Sequence, residues 1–308
     1  MEKKEIVEEE DEQEIPDLQP MEEDVIEEIE MILQYRFRNK MLLAQAFTQS
    51  SFNNPFKKAG KSYERLEFVG DSVLGCLMAR ELFSSYEDLP PGQLTLLRAA
   101  NVDTERLARI AIKSNFHRFL RHNAPQLEWQ IKEFMEGINQ YPIHSNGLLD
   151  PPKALANIVE SVIGAIFIDS NSSLEIVWKT FKKLADPLIS LDTLGKHPVS
   201  ELYELCQKNK MNVNFEKDTW TKSMTVKVFI NGNLYGSGTY GHKKEIAQNR
   251  AAKAALDRLR MILQKAQIGR ILSIRGRCFL GPRHIYEAYD DEQIWVERQR
   301  LRNKFWLQ

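Results

Sequence analysis

The sequence predicts an all-α domain followed by a small α+β module ordered helix, strand, strand, strand, helix. Three observations predict it. From about Val25 to Pro187 apolar residues recur at helical spacing, with no convincing strand alternation. After Asn212 the period drops to two in three short runs parted by turn residues, and a helical run resumes at Glu245. A chain of 308 residues, 43% hydrophobic, can bury one sizeable core and a smaller second one, which suits two domains.

The elements follow in order. Residues 1–24 read as an acidic, solvated tail, because the first 30 residues hold 15 Asp and Glu against 2 Lys. The rest of the chain has 40 Lys and Arg against 28 acids, so the net charge of -1 conceals a body of about +12 that attracts polyanions. The helical domain spans 25–186, with breaks at Asn53-Asn54-Pro55, Leu89-Pro90-Pro91-Gly92 and Ser145-Asn146-Gly147. Residues 187–196 read as a linker, and the module occupies 197–265. There Pro198 to Lys208 has a helix pattern. Asn212 to Phe215, Met224 to Ile230 and Leu234 to Tyr240 alternate as strands around turns at Asp218-Thr219 and Asn231-Gly232, and Glu245 to Leu263 closes the module as a helix. Residues 266–308 read as a basic, poorly ordered tail that can also serve as a polyanion-contacting arm.

Two stretches carry chemistry. In the first, Glu64, Glu67 and Asp71 stand at offsets of three and four, so a helix places all three carboxylates on one face. Apolar residues continue nearly all round this helix, which predicts burial on most sides. No Lys or Arg shares the carboxylate face, and partly buried carboxylates without a partner are costly. A divalent metal is the natural compensation; a solvated acidic face is the plainer alternative. In the second stretch, Asp150 reads as the N-cap of a helix with Pro in its first turn. Leu155, Ile158, Val159, Val162 and Ile166 form its apolar face, and Asn157, Glu160, Ser161 and Gly164 the other. The small residues there permit close approach of another helix. Packed face to face, the two helices can gather Glu67, Asp71, Asn157 and Glu160 into an oxygen-ligand site suited to magnesium or manganese.

These residues resemble the ribonuclease III family. Glu64-Arg65-Leu66-Glu67-Phe68-Val69-Gly70-Asp71-Ser72 is similar to its signature, and Lys153 to Ala165 to its second acidic helix. Leu33 to Phe37, Leu42 to Thr48 and Gly92 to Ala99 match the flanking helices in order, so the resemblance covers about residues 25–186. It is closest in character to the plant ribonuclease III-like proteins. It implies a homodimeric endonuclease that cuts double-stranded RNA by divalent-metal-assisted hydrolysis, one strand per site. Glu67, Asn157 and Glu160 would then hold Mg2+ or Mn2+, with Asp71 and Glu160 as the catalytic pair, Asp71 orienting or deprotonating the attacking water, and Glu64 in support. Phe68 holds the position of the family's apolar dimer contact; a plain core aromatic is the alternative. The family has an aspartate where Asn157 stands. A catalytically impaired protein that still binds double-stranded RNA is therefore the competing reading, and a metal enzyme acting on small phosphate substrates is a third.

The module resembles a double-stranded RNA-binding domain, with Pro198 to Cys206 as first helix and Ala247 to Ala252 in the last. Lys243 and Lys244, at the start of that last helix, are placed to meet phosphates together with exposed N–H groups. Trp220-Thr221-Lys222-Ser223 stands where the family usually has a Gly-Pro-x-His loop, and Glu245 and Gln248 replace frequent lysines. Gly236-x-Gly238-x-x-Gly241 satisfies a dinucleotide fingerprint without the parallel βαβ unit that would make it one. Cys76, Cys206 and Cys278 suggest neither a disulfide framework nor a zinc site. With no leader and no apolar run of membrane-spanning length, the expectation is nucleus or cytoplasm and no membrane.

Overall fold

The computed structural model describes residues 18–52, 61–218 and 220–277. The first part contains α1 (Glu23–Leu33), α2 (Lys40–Ala46), α3 (Glu64–Ser85), α4 (Pro91–Val102), α5 (Thr104–Lys113), α6 (Leu127–Ile138), α7 (Lys153–Asp169) and α8 (Leu174–Ala185). The second part contains α9 (Pro198–Lys208), β1 (Val213–Glu216), a single helical turn α10 (Trp220–Ser223), β2 (Thr225–Ile230), β3 (Asn233–Thr239) and α11 (Lys244–Arg277). Among the described residues no helix is long and apolar enough to cross a membrane.

Helix α7 is the axle of the first part. Leu155, Ile158, Val159, Val162, Ile163 and Ile166 are fully buried, and α2, α3, α5 and α8 pack around it. All-round burial belongs to α7, not to α3 as its pattern suggests. In α3 Leu66, Gly70, Val73, Leu74, Leu77, Met78 and Leu82 line one buried face, while Phe68 and Phe83 lie open at 77% and 75% exposure. Apolar character on both faces misleads because one face is covered within the chain and the other is not.

The folded body begins earlier than the expected end of the acidic tail at residue 24. Leu18 is buried, and Arg121 Nη1 donates to the carbonyls of Gln19 at 2.7 Å and Pro20 at 3.2 Å, so 18–22 belong to the folded body. The break at 53–55 and residues 1–17 lie outside the described residues. The linker is pinned: Asn101, fully buried, donates to Ile189 O at 2.9 Å and accepts from Ile189 N at 2.8 Å, while Lys113 Nζ reaches Asp186 O at 2.7 Å.

In the second part β1, β2 and β3 form one antiparallel sheet in that order, each boundary within a residue or two of the sequence expectation. Asn231 (φ 50°) and Gly232 (φ 81°) make a two-residue hairpin, which needs positive φ at both positions. A Cβ on Gly236 would come 2.5 Å from Ala255 N, and one on Gly238 would come 2.3 Å from Ala247 O. Those glycines serve the close seating of α11 on β3. Trp220 fixes α10 by donating from Nε1 to Tyr240 O at 3.0 Å. Helix α11 continues without a break to Arg277, so 266–277 are helical rather than disordered tail; residues 278–308 lie outside the described residues. Cys76 and Cys206 are free thiols, and Cys278 is not described.

Candidate active site

Helices α3 and α7 cross with their backbones in contact. A Cβ added to Gly70 would sit 1.8 Å from Glu160 O, and one added to Gly164 would sit 2.1 Å from Leu66 O, so no other residue fits at either position. The crossing sets the carboxylates of α3 beside Asn157 and Glu160 of α7. Asn157 Nδ2 donates to Glu67 Oε2 at 2.7 Å. Ser161, one residue past Glu160, is fully buried and donates to Ala46 O at 2.7 Å, which fixes this turn of α7 against α2. Glu64, at the first turn of α3, points away to accept from Ser50 N at 3.3 Å.

The electrostatics of the crossing are those of crowded negative charge. Burial pushes the Glu160 carboxyl up to about 8, and Asp71 and Glu67 push the same way while Lys153 opposes them. Glu67 is likewise raised, by burial first and then by Glu64 and Asp71 against the pull of Lys153. Burial would raise Glu64 too, but hydrogen bonds from Ser62 and Ser50 outweigh it and its pKa is lowered. Glu67, Asp71, Asn157 and Glu160 thus share one electrostatic environment. They are not closed into a cage, since among the described residues no three His, Cys, Asp or Glu side chains stand close enough to hold a metal ion as they are. The donors are nonetheless hard oxygens in a setting that disfavours their own negative charge, which is the donor chemistry of Mg2+ and Mn2+.

Some functional positions escaped the sequence reading. Lys153 stands one turn before Asn157 and tempers both Glu67 and Glu160, although no cation was expected near the carboxylates. Its signal was available, because 153, 157 and 160 share a helix face at offsets of four and three. Tyr63, buried just before α3, is in hydrogen-bonding contact with Asn157, and burial pushes its phenol up to about 12. Asp150 is no N-cap: Pro152 occupies that position, and Asp150 instead accepts from Lys243 Nζ at 2.5 Å and Tyr240 Oη at 3.3 Å. Lys243, expected to face phosphate, is therefore engaged by a carboxylate in this arrangement. Lys244 opens α11 and is exposed.

Comparison with known proteins shows the family of the chain. A family model described as the ribonuclease III domain matches residues 64–171, and one described as the double-stranded RNA binding motif matches 198–259. The chain is 57% identical over 248 residues to ribonuclease 3-like protein 3 of Oryza sativa subsp. japonica, covering 80% of this chain and 83% of that one. It is 42% identical over 239 residues to endoribonuclease Dicer homolog 1 of Arabidopsis thaliana, covering 75% of this chain but 12% of that much longer protein. Among solved structures, the nuclease domain of ribonuclease III from Campylobacter jejuni is similar at 29% identity and a TM-score of 0.41, covering 55% of this chain and 100% of that chain.

Proposed function

Because the chain belongs to the ribonuclease III family and is an endoribonuclease of that kind, we propose that it hydrolyses phosphodiester bonds of double-stranded RNA at the crossing of α3 and α7. The observation that carries this assignment is the convergence of Glu67, Asp71 and Glu160 across a glycine-to-glycine backbone contact, with Glu160 pushed up to about 8. Glu67, Glu160 and the amide oxygen of Asn157 would hold Mg2+ or Mn2+. Such a cation, when bound, supplies the positive charge that the scissile phosphate needs as negative charge grows on its oxygens.

The chain's own groups do the rest. Asp71, exposed at the rim of the crossing, is free to orient the attacking water and accept its proton on a carboxylate oxygen. Lys153 offsets part of the carboxylate charge and so favours the ionised forms. Glu64, bound to the Ser50 N–H, supports the start of α3. Phe68, exposed on the same helix, is the apolar contact of a homodimer that sets two sites on opposite strands. The antiparallel module with Lys243 and Lys244 suits the shape of A-form duplex RNA.

The test is to incubate the purified chain with long double-stranded and single-stranded RNA in magnesium, manganese or chelator and to measure product lengths. Duplex alone is expected to shorten, and only with a cation present. Glu160→Ala is expected to lower that cleavage by about a hundredfold or more while duplex binding stays near wild type. A second reading has its own observation. The Asn157 amide donates to Glu67 and so occupies a carboxylate lone pair that a ligand role would use. A protein that binds duplex RNA in manganese without shortening it would favour that reading, an impaired nuclease that occupies duplexes.

A further inference from the structure

Among the described residues the RNA-binding module hydrogen-bonds the nuclease part at a loop, residues 147–150, which leads directly into α7. The module's side of this contact is mostly hydrogen bonding to backbone. Asn249 Nδ2 donates to Gly147 O at 2.8 Å and Arg250 Nε to Leu148 O at 3.1 Å. The Arg250 guanidinium also lies 4.7 Å from the Tyr240 ring centre, and the His242 ring sits 5.2 Å from Trp129 of α6. Gly147, at φ +85°, admits this approach, since a Cβ there would lie 2.7 Å from Asn249 Nδ2 and 3.2 Å from His197 Nε2. On its other side the loop is braced by buried Glu105, which accepts from Ser145 N at 2.7 Å and Ser145 Oγ at 2.5 Å. The loop is thus a fixed platform, and Pro151 and Pro152 connect it stiffly to the first turn of α7.

One contact differs from the others in kind. Asp150 and Lys243 form an ion pair at 2.5 Å in which the carboxylate is mostly covered, at 15% exposure, and the ammonium mostly open, at 58%. Lys243 stands beside exposed Lys244 at the start of α11, the edge of the module best disposed to meet phosphate. A duplex that reaches Lys243 meets the Asp150 carboxylate already bound to it, and the two anions cannot share one ammonium without repulsion. We infer that the pair between Asp150 and Lys243 is a latch: it holds the RNA-binding module against the loop entering α7, and duplex RNA competes with Asp150 for the Lys243 ammonium. The inference rests on the reading of Lys243 as a phosphate contact. RNA arrival at the module is thereby linked to release of the module from the loop that leads to Lys153, Asn157 and Glu160.

The experiment uses the full chain in chelator, so that the RNA stays whole. Two quantities are measured for wild type, Asp150→Asn, Lys243→Ala, the double variant and Gly147→Ala: affinity for a short blunt duplex RNA over a salt series, and the rate of tryptic cleavage after Lys196 in the linker without RNA. Asp150→Asn is expected to bind duplex about two- to fivefold more tightly at low salt, the fold-change of one incompletely buried ion pair, with the gain fading as salt screens it. The gain should vanish in the double variant. Both Asp150→Asn and Gly147→Ala should speed cleavage after Lys196, the latter without any change of charge. Faster cleavage with unchanged affinity in Asp150→Asn would overturn the latch, because the pair would hold the module without opposing RNA. Unchanged cleavage in Asp150→Asn would overturn it from the other side. If Lys243→Ala binds duplex like wild type, the reading of Lys243 as a phosphate contact fails first and takes the latch with it. If Lys243→Ala weakens binding but Asp150→Asn does not strengthen it, that reading stands and the latch alone falls.

Discussion

At position 157 an amide donates a hydrogen bond to Glu67 that an ionised carboxylate could not make, since Asp offers only acceptors. Asn157→Asp therefore cuts two ways. In chelator it removes a donor to a charged group and adds a like charge, so the variant should be less stable than wild type by about 2 kcal/mol in urea denaturation. With magnesium the added charge favours the cation, and the concentration for half-maximal cleavage should fall; even a tenfold gain is only about 1.4 kcal/mol. A folded variant with unchanged stability and an unchanged magnesium requirement would remove position 157 from the site. His144 offers a pH-dependent counterpart away from the carboxylates of α3 and α7. Burial lowers its pKa, but the hydrogen bond to Asp103 at 2.9 Å and the charges of Glu105 and Asp103 outweigh this, and the net shift is upward. A raised folded-state pKa stabilises fully below the unfolded value of about 6.5 and is lost as pH rises through the folded value. The stability gap between wild type and His144→Gln should accordingly be wider at pH 6 than at pH 8.5 by chemical denaturation, and an equal gap at both would show that the imidazolium makes no net contribution.

At the scale of elements, the contact of α3 with α7 is the most exacting among the described residues. Gly164→Ala would force a methyl against the Leu66 carbonyl, and since backbone must move to accept it, a loss of about 3 kcal/mol or more is expected. Urea unfolding measures it, and a loss under about 1 kcal/mol would mean that the helices are further apart than described. Both helices were legible in the sequence because their apolar spacing is regular, and so was their close approach, from the small residues after Glu160. The strands were legible from period-two runs ended by Asn231-Gly232. Which face of α3 is buried was not legible, because apolar residues run nearly all round it and only the packing leaves Phe68 and Phe83 outside. The true role of Asp150 was hidden for a different reason: its local sequence suits an N-cap, and only a partner 93 residues away redirects the side chain. The full length of α11 was missed because residues beyond 265 were read as a basic, poorly ordered tail, although the helix runs on through Gly269, where a single glycine costs about 1 kcal/mol.

For the whole molecule, charge distribution decides how RNA is met. The excess of 40 Lys and Arg over 28 acids in residues 31–308 provides the general attraction, and Lys243 with Lys244 a local share of it. Changing both to Ala should weaken duplex binding and flatten the dependence of log K on log salt by up to about two units, with no change in sequence preference. An unaltered slope in a salt titration would place the phosphate contacts elsewhere on the body. The glycine contact between α3 and α7 has a consequence for inheritance as well as for packing. Any missense change in a glycine codon installs a side chain, so at Gly70 and Gly164 every such change meets backbone it cannot displace. Alleles altered there would behave in a genetic screen as nuclease-dead although each acidic side chain of the site is still encoded, and a saturation-mutagenesis map should show these two positions as intolerant as Glu160.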